Sequence, residues 1–200
     1  MVKIIKIDKQ DYHEALRRAK EVVLENGVLI YPTDTLYGIG GNAFSEKVVH
    51  RIREMKGSPD EKSYSVIMSD INMIKRYCEV DEWQLKVLKA HLPGPFTFLL
   101  KAKVKMPVSV NQKLGVRIPD YAFAHQLSEL CDMPIVTTSA NPSGKKPPCR
   151  LEETTGKILS AVDLAIDDGI TKFQEASAIV DLVEKKVLRK GVWEIELFGY

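Results

Sequence analysis

Three short polar runs, each beside an apolar run, carry the functional groups of this sequence. Thr33, Asp34, Thr35 and Tyr37 follow Val28 to Tyr31, and Thr137 to Asn141 follow Pro134 to Val136. Ser177 comes just before Ile179 to Leu182. Hydroxyls and amides of this kind hold a small polar ligand by directional hydrogen bonds. Four cations could join them: Lys56, Lys62, Arg117 and Arg189. Arg117 stands inside the otherwise apolar Gly115-Val-Arg-Ile-Pro119, where a guanidinium needs a partner. A carboxylate or phosphate supplies two acceptors that match its fork. Each cation has a plain alternative. Lys56 and Lys62 suit a solvated loop, Arg189 a surface acid, and Arg117 a buried Asp. Taken together, three polar strand ends and four cations without evident acid partners favour a site for an anionic small molecule.

The missing chemistry narrows the mechanism. No residue set pairs a nucleophile with a base, and Gly38-Ile-Gly-Gly41 lacks the Gly-Lys-Ser/Thr ending of a P-loop. Cys78, Cys131 and Cys149 are widely spaced and read as small, partly buried side chains, not zinc ligands. His13, His50, His91 and His125 are scattered, each on an expected helix. No protein-held metal is expected. A site so equipped works by positioning reactants and neutralising charge.

The elements that must position these groups follow from periodicity. Lys3 to Ile7 alternates charged and apolar residues, as a half-exposed strand does. Asp8 or Asp11 suits the cap of a helix carrying Tyr12, Ala15, Leu16, Ala19, Val22 and Val23 on one face, ended by a left-handed turn at Asn26-Gly27. Val28 to Tyr31 reads as a buried strand stopped by Pro32. Gly38, Gly40 and Gly41 suit a backbone that turns with positive φ or lies close to another group. Ser45-Glu46 then opens a helix running to about Met55. A polar loop from Lys56 to Lys62 leads to a strand from Ser63 to Met68. Asp70 suits a short helix through Ile74, and Asp81 a longer one through His91, with Trp83, Val87 and Leu88 inward. Further strands are expected at Phe96 to Ala102, Gly115 to Ile118, Pro134 to Thr138, Leu164 to Ile166, Ala178 to Leu182 and Lys186 to Arg189. Asp120 is expected to cap a helix with Phe123, Leu127 and Leu130 inward, and another helix is expected over about 151–159. Connections of mixed length imply a mixed sheet.

With 200 residues, 44% hydrophobic and 28% charged, the chain suits one globular domain, residues 1–200. A net charge of +2 argues for no nucleic-acid partner by itself, so any basic character that matters must be local. No apolar run suits a bilayer, and Met-Val-Lys-Ile-Ile-Lys suits no signal peptide; the expectation is a cytoplasmic protein without a membrane partner.

Five motifs, in order, carry a resemblance: Tyr31-Pro-Thr-Asp-Thr-Leu-Tyr-Gly38, Leu92-Pro-Gly-Pro-Phe-Thr97, Gly115-Val-Arg-Ile-Pro119, Thr138-Ser-Ala-Asn-Pro-Ser-Gly144 and Ser177-Ala-Ile-Val-Asp181. Together they resemble the YrdC/TsaC family from about Asp11 to Gly191. The resemblance implies an α/β fold, a twisted mixed sheet with flanking helices around a concave basic cavity. It also implies L-threonylcarbamoyladenylate synthase activity, a nucleotidyl transfer converting L-threonine, bicarbonate and ATP to the carbamoyl-adenylate and diphosphate. Downstream tRNA threonylcarbamoyl transferase proteins would then pass the group to tRNA. By the same resemblance Thr35, Arg117, Thr137 and Ser177 hold threonine, with Arg117 on its carboxylate. Lys56, Ser58, Lys62, Ser139, Asn141 and Arg189 line the nucleotide, with Lys56, Lys62 and Arg117 as catalytic cations and magnesium arriving with ATP.

The chain departs from the family pattern mainly on the nucleotide side. Lys56-Gly-Ser-Pro59 replaces Lys-x-Arg-Pro, so Ser58 stands where a guanidinium should contact phosphate. One lost charge-assisted contact is worth about 1.5–3 kcal/mol. Ser63-Tyr-Ser65 stands where the family prefers Pro-Leu, Ala178 where a threonine is common, and Lys146-Pro147 where Pro-Ser is usual. These changes motivate a second reading: a non-catalytic relative nearer the YciO branch that binds nucleotide or double-stranded RNA, tRNA included. A third, a free-standing relative of the carbamoyl-transferring domain of hydrogenase maturation factors, fits less well, because no acylphosphatase or zinc-finger segment accompanies it.

Overall fold

The computed structural model describes residues 2–7, 11–59, 62–109 and 111–195. Ten strands form one sheet: β1 (Lys3–Lys6), β2 (Leu29–Tyr31), β3 (Gly38–Gly40), β4 (Ser65–Ile67), β5 (Phe96–Lys101), β6 (Lys113–Arg117), β7 (Ile135–Ser139), β8 (Leu164–Asp167), β9 (Ala178–Asp181) and β10 (Lys186–Arg189). Their spatial order is β1-β8-β2-β3-β7-β4-β6-β5-β9-β10. Pairing is mixed. The β1/β8, β2/β8, β4/β6 and β5/β9 pairs are parallel and the remainder antiparallel.

Period-two alternation builds a separate core on each face. Leu29 and Tyr31 point to one side with Ile67, Ile135, Leu164 and Ile166. There they meet α1 (Tyr12–Leu24) and α5 (Ala122–Cys131) through Ala15, Leu16, Ala19, Val23, Phe123 and Leu127. Ile30, Val66, Val136 and Ala165 point to the other side. They pack with side chains of α2 (Glu46–Lys56), α3 (Ile71–Tyr77), α4 (Glu82–His91) and α6 (Gly156–Leu159). Among the described residues no helix is long and apolar enough to cross a membrane.

Local signals set most boundaries. Ser45 caps α2 by accepting from the Val48 amide, Asp70 caps α3, and Asp81 with Gln84 forms a capping box on α4. Asn26 takes the left-handed conformation after α1, with φ 57°. Asp11 is the N-cap residue of α1, whereas Asp8 lies outside the described residues.

Three expectations are corrected, and of the two alternatives at the glycines the structure takes close approach: Gly38 to Gly40 form strand β3, paired with both β2 and β7. Its glycines serve close approach: a Cβ on Gly40 would sit 2.1 Å from the Val136 carbonyl oxygen and 2.8 Å from the Tyr31 ring. Residues 32–37, between the antiparallel β2 and β3, therefore form a hairpin loop. Asp120 does not cap α5; Tyr121 is the N-cap residue, and Asp120 pairs with Lys172 at 2.6 Å. Leu130 is exposed, because α5 turns Phe123, Ala124, Leu127, Ser128 and Cys131 inward. The helix expected over 151–159 breaks into a 3-10 turn, Leu151–Glu153, and α6, interrupted at Thr154, whose backbone is extended.

Candidate functional site

A hollow of about 390 Å³ opens over seven strands of the sheet. Every strand from β3 to β10 in the spatial order gives it at least one residue: Gly38, Thr137 to Ser139, Ser65, Arg117, Thr97, Ile179 and Arg189. Its volume lies in the range of small-molecule sites. Among the described residues the lining holds four cations, Lys56, Lys62, Arg117 and Arg189, and no carboxylate. Like charges face each other. Arg189 has its pKa lowered by burial and then by Arg117, and Lys56 is pulled down to about 8 by burial and then by Lys62. Such a cavity attracts anions.

One end is built on the hairpin loop. Thr33 Oγ1 accepts from the amides of Thr35 and Leu36 and donates to the Leu36 carbonyl at 2.7 Å, which folds the loop on itself. Thr171 donates its hydroxyl to the Thr35 carbonyl, and the Phe173 amide bonds the Asp34 carbonyl. So held, Asp34 is fully buried and takes Arg117 Nη2 on Oδ1 at 2.5 Å, while the Asp120 amide binds Oδ2. Arg117 Nη1 donates to Thr35 Oγ1 at 3.0 Å, and Arg117 Nε is buried without a partner. The buried Asp weighed as an alternative for Arg117 is therefore real, and the expectation of four cations without acid partners is corrected at this one position. Arg117 still lines the hollow. Ser177, just before β9, shares a 2.9 Å hydroxyl contact with Thr97 on β5, and Arg189 donates to the Ser177 carbonyl at 2.8 Å. Thr97 was not singled out in the sequence, because an alternating strand gives no sign of which hydroxyl meets which.

The other end is built on the last turn of α2 and the loop after β7. Lys56 is 4% exposed, far from the solvated loop its neighbours suggest. Its Nζ donates to the carbonyls of Ser139 and Asn141, the latter at 2.7 Å. Asn141 spends its amide hydrogens on the carbonyls of Pro142 and Lys145, leaving Oδ1 buried and free. Lys62 lies at the rim. Ser58 is not among the lining residues; its hydroxyl bonds Ser143 Oγ at 2.7 Å, and Ser143 does line the hollow. Thus Thr35, Arg117, Thr137, Ser177, Lys56, Lys62, Ser139, Asn141 and Arg189 share one cavity, with Ser58 just behind its wall. Among the described residues no group of three His, Cys, Asp or Glu side chains is gathered as for a metal.

Fold and lining define an α/β protein with a cavity lined by cations. Comparison with known proteins gives it a family. Residues 21–191 match the Sua5/YciO/YrdC family, described as telomere recombination, and the chain belongs to that family. A protein of Methanocaldococcus jannaschii, provisionally named threonylcarbamoyl-AMP synthase, is 34% identical over 98% of this chain and 95% of its own. The structure of Pyrococcus abyssi Sua5 complexed with L-threonine superposes with a TM-score of 0.87 at 27% identity, over 96% of this chain. This chain spans only 57% of that protein's length. The Escherichia coli YciO structure superposes with a TM-score of 0.86 at 26% identity, over 99% of this chain and 98% of its own.

Proposed function

We propose that this protein is an L-threonylcarbamoyladenylate synthase acting in the cytoplasm. The observation that carries the reading is one hollow, free of carboxylates among the described residues, which brings Thr35, Arg117, Thr137 and Ser177 together with Lys56, Lys62, Ser139, Asn141 and Arg189. The kinship with a threonine-bound Sua5 supports it.

In this reading the threonine carboxylate lies against Arg117, and Thr35 and Ser177 hold its polar groups. The amine and bicarbonate form a carbamate, joining nitrogen to carbon with loss of water. A carbamate oxygen then attacks the α-phosphorus of ATP, a phosphorus–oxygen bond forms, and the bond to the diphosphate breaks. Charge builds on the phosphate and the leaving diphosphate, and Lys56, Lys62 and Arg189 oppose it. Among the described residues the lining offers hydroxyls and an amide but no carboxylate, so a magnesium ion arriving with ATP would be held mainly by phosphate oxygens and water. The product would pass to proteins that modify tRNA.

Incubation with ATP, L-threonine and bicarbonate tests the reading: diphosphate should appear only when threonine is present. One observation favours a second reading. Ser58 is engaged with Ser143, not presented to the cavity, so the phosphate end has one cation fewer than the family pattern implies. A nucleotide- or RNA-binding module would bind without releasing diphosphate at any threonine concentration. RNA bound this way would be held by charge and shape, with affinity falling steeply as salt rises.

A further inference from the structure

Trp193 is 49% exposed, too open to serve the core, and it is not among the described residues lining the hollow. Its indole nevertheless touches two supports of that hollow. The ring lies 6.1 Å from Phe96 and 5.3 Å from Phe173, tilted on the first and edge-on to the second. Aromatic pairs favour such tilted contacts at these separations. Phe96 opens β5 and precedes Thr97, whose hydroxyl meets that of Ser177. Phe173 lies on the chain between β8 and β9. Its amide bonds the Asp34 carbonyl, and Thr171 beside it donates to the Thr35 carbonyl.

The chain leading to Trp193 is drawn tightly over the same end. Arg189 donates to the Ser177 carbonyl, and the Val192 amide to the Ala176 carbonyl at 3.2 Å. Between them Gly191 passes so close that a Cβ would sit 2.2 Å from the Ala178 nitrogen and 2.4 Å from the Ser177 carbonyl carbon. Only glycine permits that approach. The β5/β6 ladder fixes Thr97 and Arg117 relative to one another. Thr35 and Ser177 are not ladder residues; each sits in a connecting segment, and segments are placed by contacts of this kind. We propose that Trp193 is a positioning residue for threonine: packed on Phe96 and Phe173, it clamps the segment from Thr171 to Ser177 against the start of β5 and so sets Thr35 and Ser177 for the ligand. The inference rests on the synthase reading above and adds to it a residue that stands outside the cavity.

Wild type, Trp193→Ala and Trp193→Phe are compared by calorimetric titration with L-threonine and, separately, with ATP, and by threonine-dependent diphosphate release. Trp193→Ala should bind threonine about five- to tenfold more weakly, as loss of paired aromatic contacts does. The threonine KM should rise by the same factor while kcat stays within about twofold, the mark of lost binding and not of lost chemistry. ATP affinity should hold, because Arg189 is kept in place by its pairing with β9. A half-exposed side chain adds little to stability, so the variant should melt close to wild type. Trp193→Phe keeps an aromatic face and should recover most of the threonine affinity. Trp193→Ala combined with Thr97→Val should raise the threonine KM by less than the product of the two single effects, because both act on Ser177.

Threonine affinity equal in wild type and Trp193→Ala overturns the inference and leaves the synthase reading intact. Equal losses for threonine and ATP overturn it too, since they mark a general loosening, and so does a double variant whose effects simply multiply. Wild type that neither binds threonine nor releases diphosphate overturns both.

Discussion

The two ends of the cavity hold their cations differently. Arg117 is locked by a fully buried carboxylate and a threonine hydroxyl, so its charge is compensated before any ligand arrives. Lys56, equally buried, has among the described residues two backbone carbonyls and no carboxylate. Dipoles orient an ammonium but do not neutralise it, and burial pulls its pKa down to about 8. One end is a finished frame that a ligand joins. The other is an uncompensated charge that an anion completes. The difference teaches that cavity charge serves two purposes here, shape at one end and electrostatic demand at the other.

The largest effect should come from breaking the frame. Arg117→Ala leaves the Asp34 charge buried and unpaired, and about 3–5 kcal/mol of stability should be lost. The structure thus revises any simple view of this arginine as a substrate contact alone. Urea denaturation measures the loss, and adding Asp34→Asn should restore a good part of it. If the single variant unfolds at the wild-type urea concentration, the frame is not what holds this end. Threonine-dependent diphosphate release should vanish in either variant.

Lys56→Met probes the opposite end. Nucleotide affinity should fall about 10- to 100-fold, the worth of a charge-assisted contact. Its pH signature comes next in size. An ammonium with a pKa near 8 loses its proton as pH rises, so ATP affinity should drop about tenfold between pH 7 and 9 and flatten in Lys56→Met. The sign for stability is opposite. From about pH 8 up to the ordinary lysine range the unfolded chain binds more protons than the folded one. Stability of the ligand-free protein should therefore rise with pH there, a slope that Lys56→Met lacks. Identical slopes would erase the contrast between the two ends. The smallest effect belongs to Thr97→Val, which removes the hydroxyl partner of Ser177. It should raise the threonine KM a few-fold, about 1 kcal/mol, with ATP affinity unchanged.

Much of the fold is legible along the chain because its signals are local. The caps at Ser45, Asp70 and Asp81 and the left-handed turn at Asn26 each follow from a side chain and its near neighbours. The misses are of another kind. The glycines from Gly38 suit a turn or a close approach by composition, and only the sheet decides for close approach, since the β7 backbone passes where a Gly40 side chain would be. The break at Thr154 and the outward Leu130 depend on what packs nearby, not on period.

The candidate residues divide the same way. Residue type and position beside apolar runs singled out Thr35, Lys56, Arg117 and Ser177, since a cation or hydroxyl at a strand end keeps that character however the chain folds. Long-range packing alone decided what each one meets: Asp34 under Arg117, carbonyls around Lys56 and Thr97 beside Ser177. Charge and hydrogen-bonding capacity belong to a residue by itself. Desolvation and pairing belong to its surroundings, and those are assembled from strands distant in the chain.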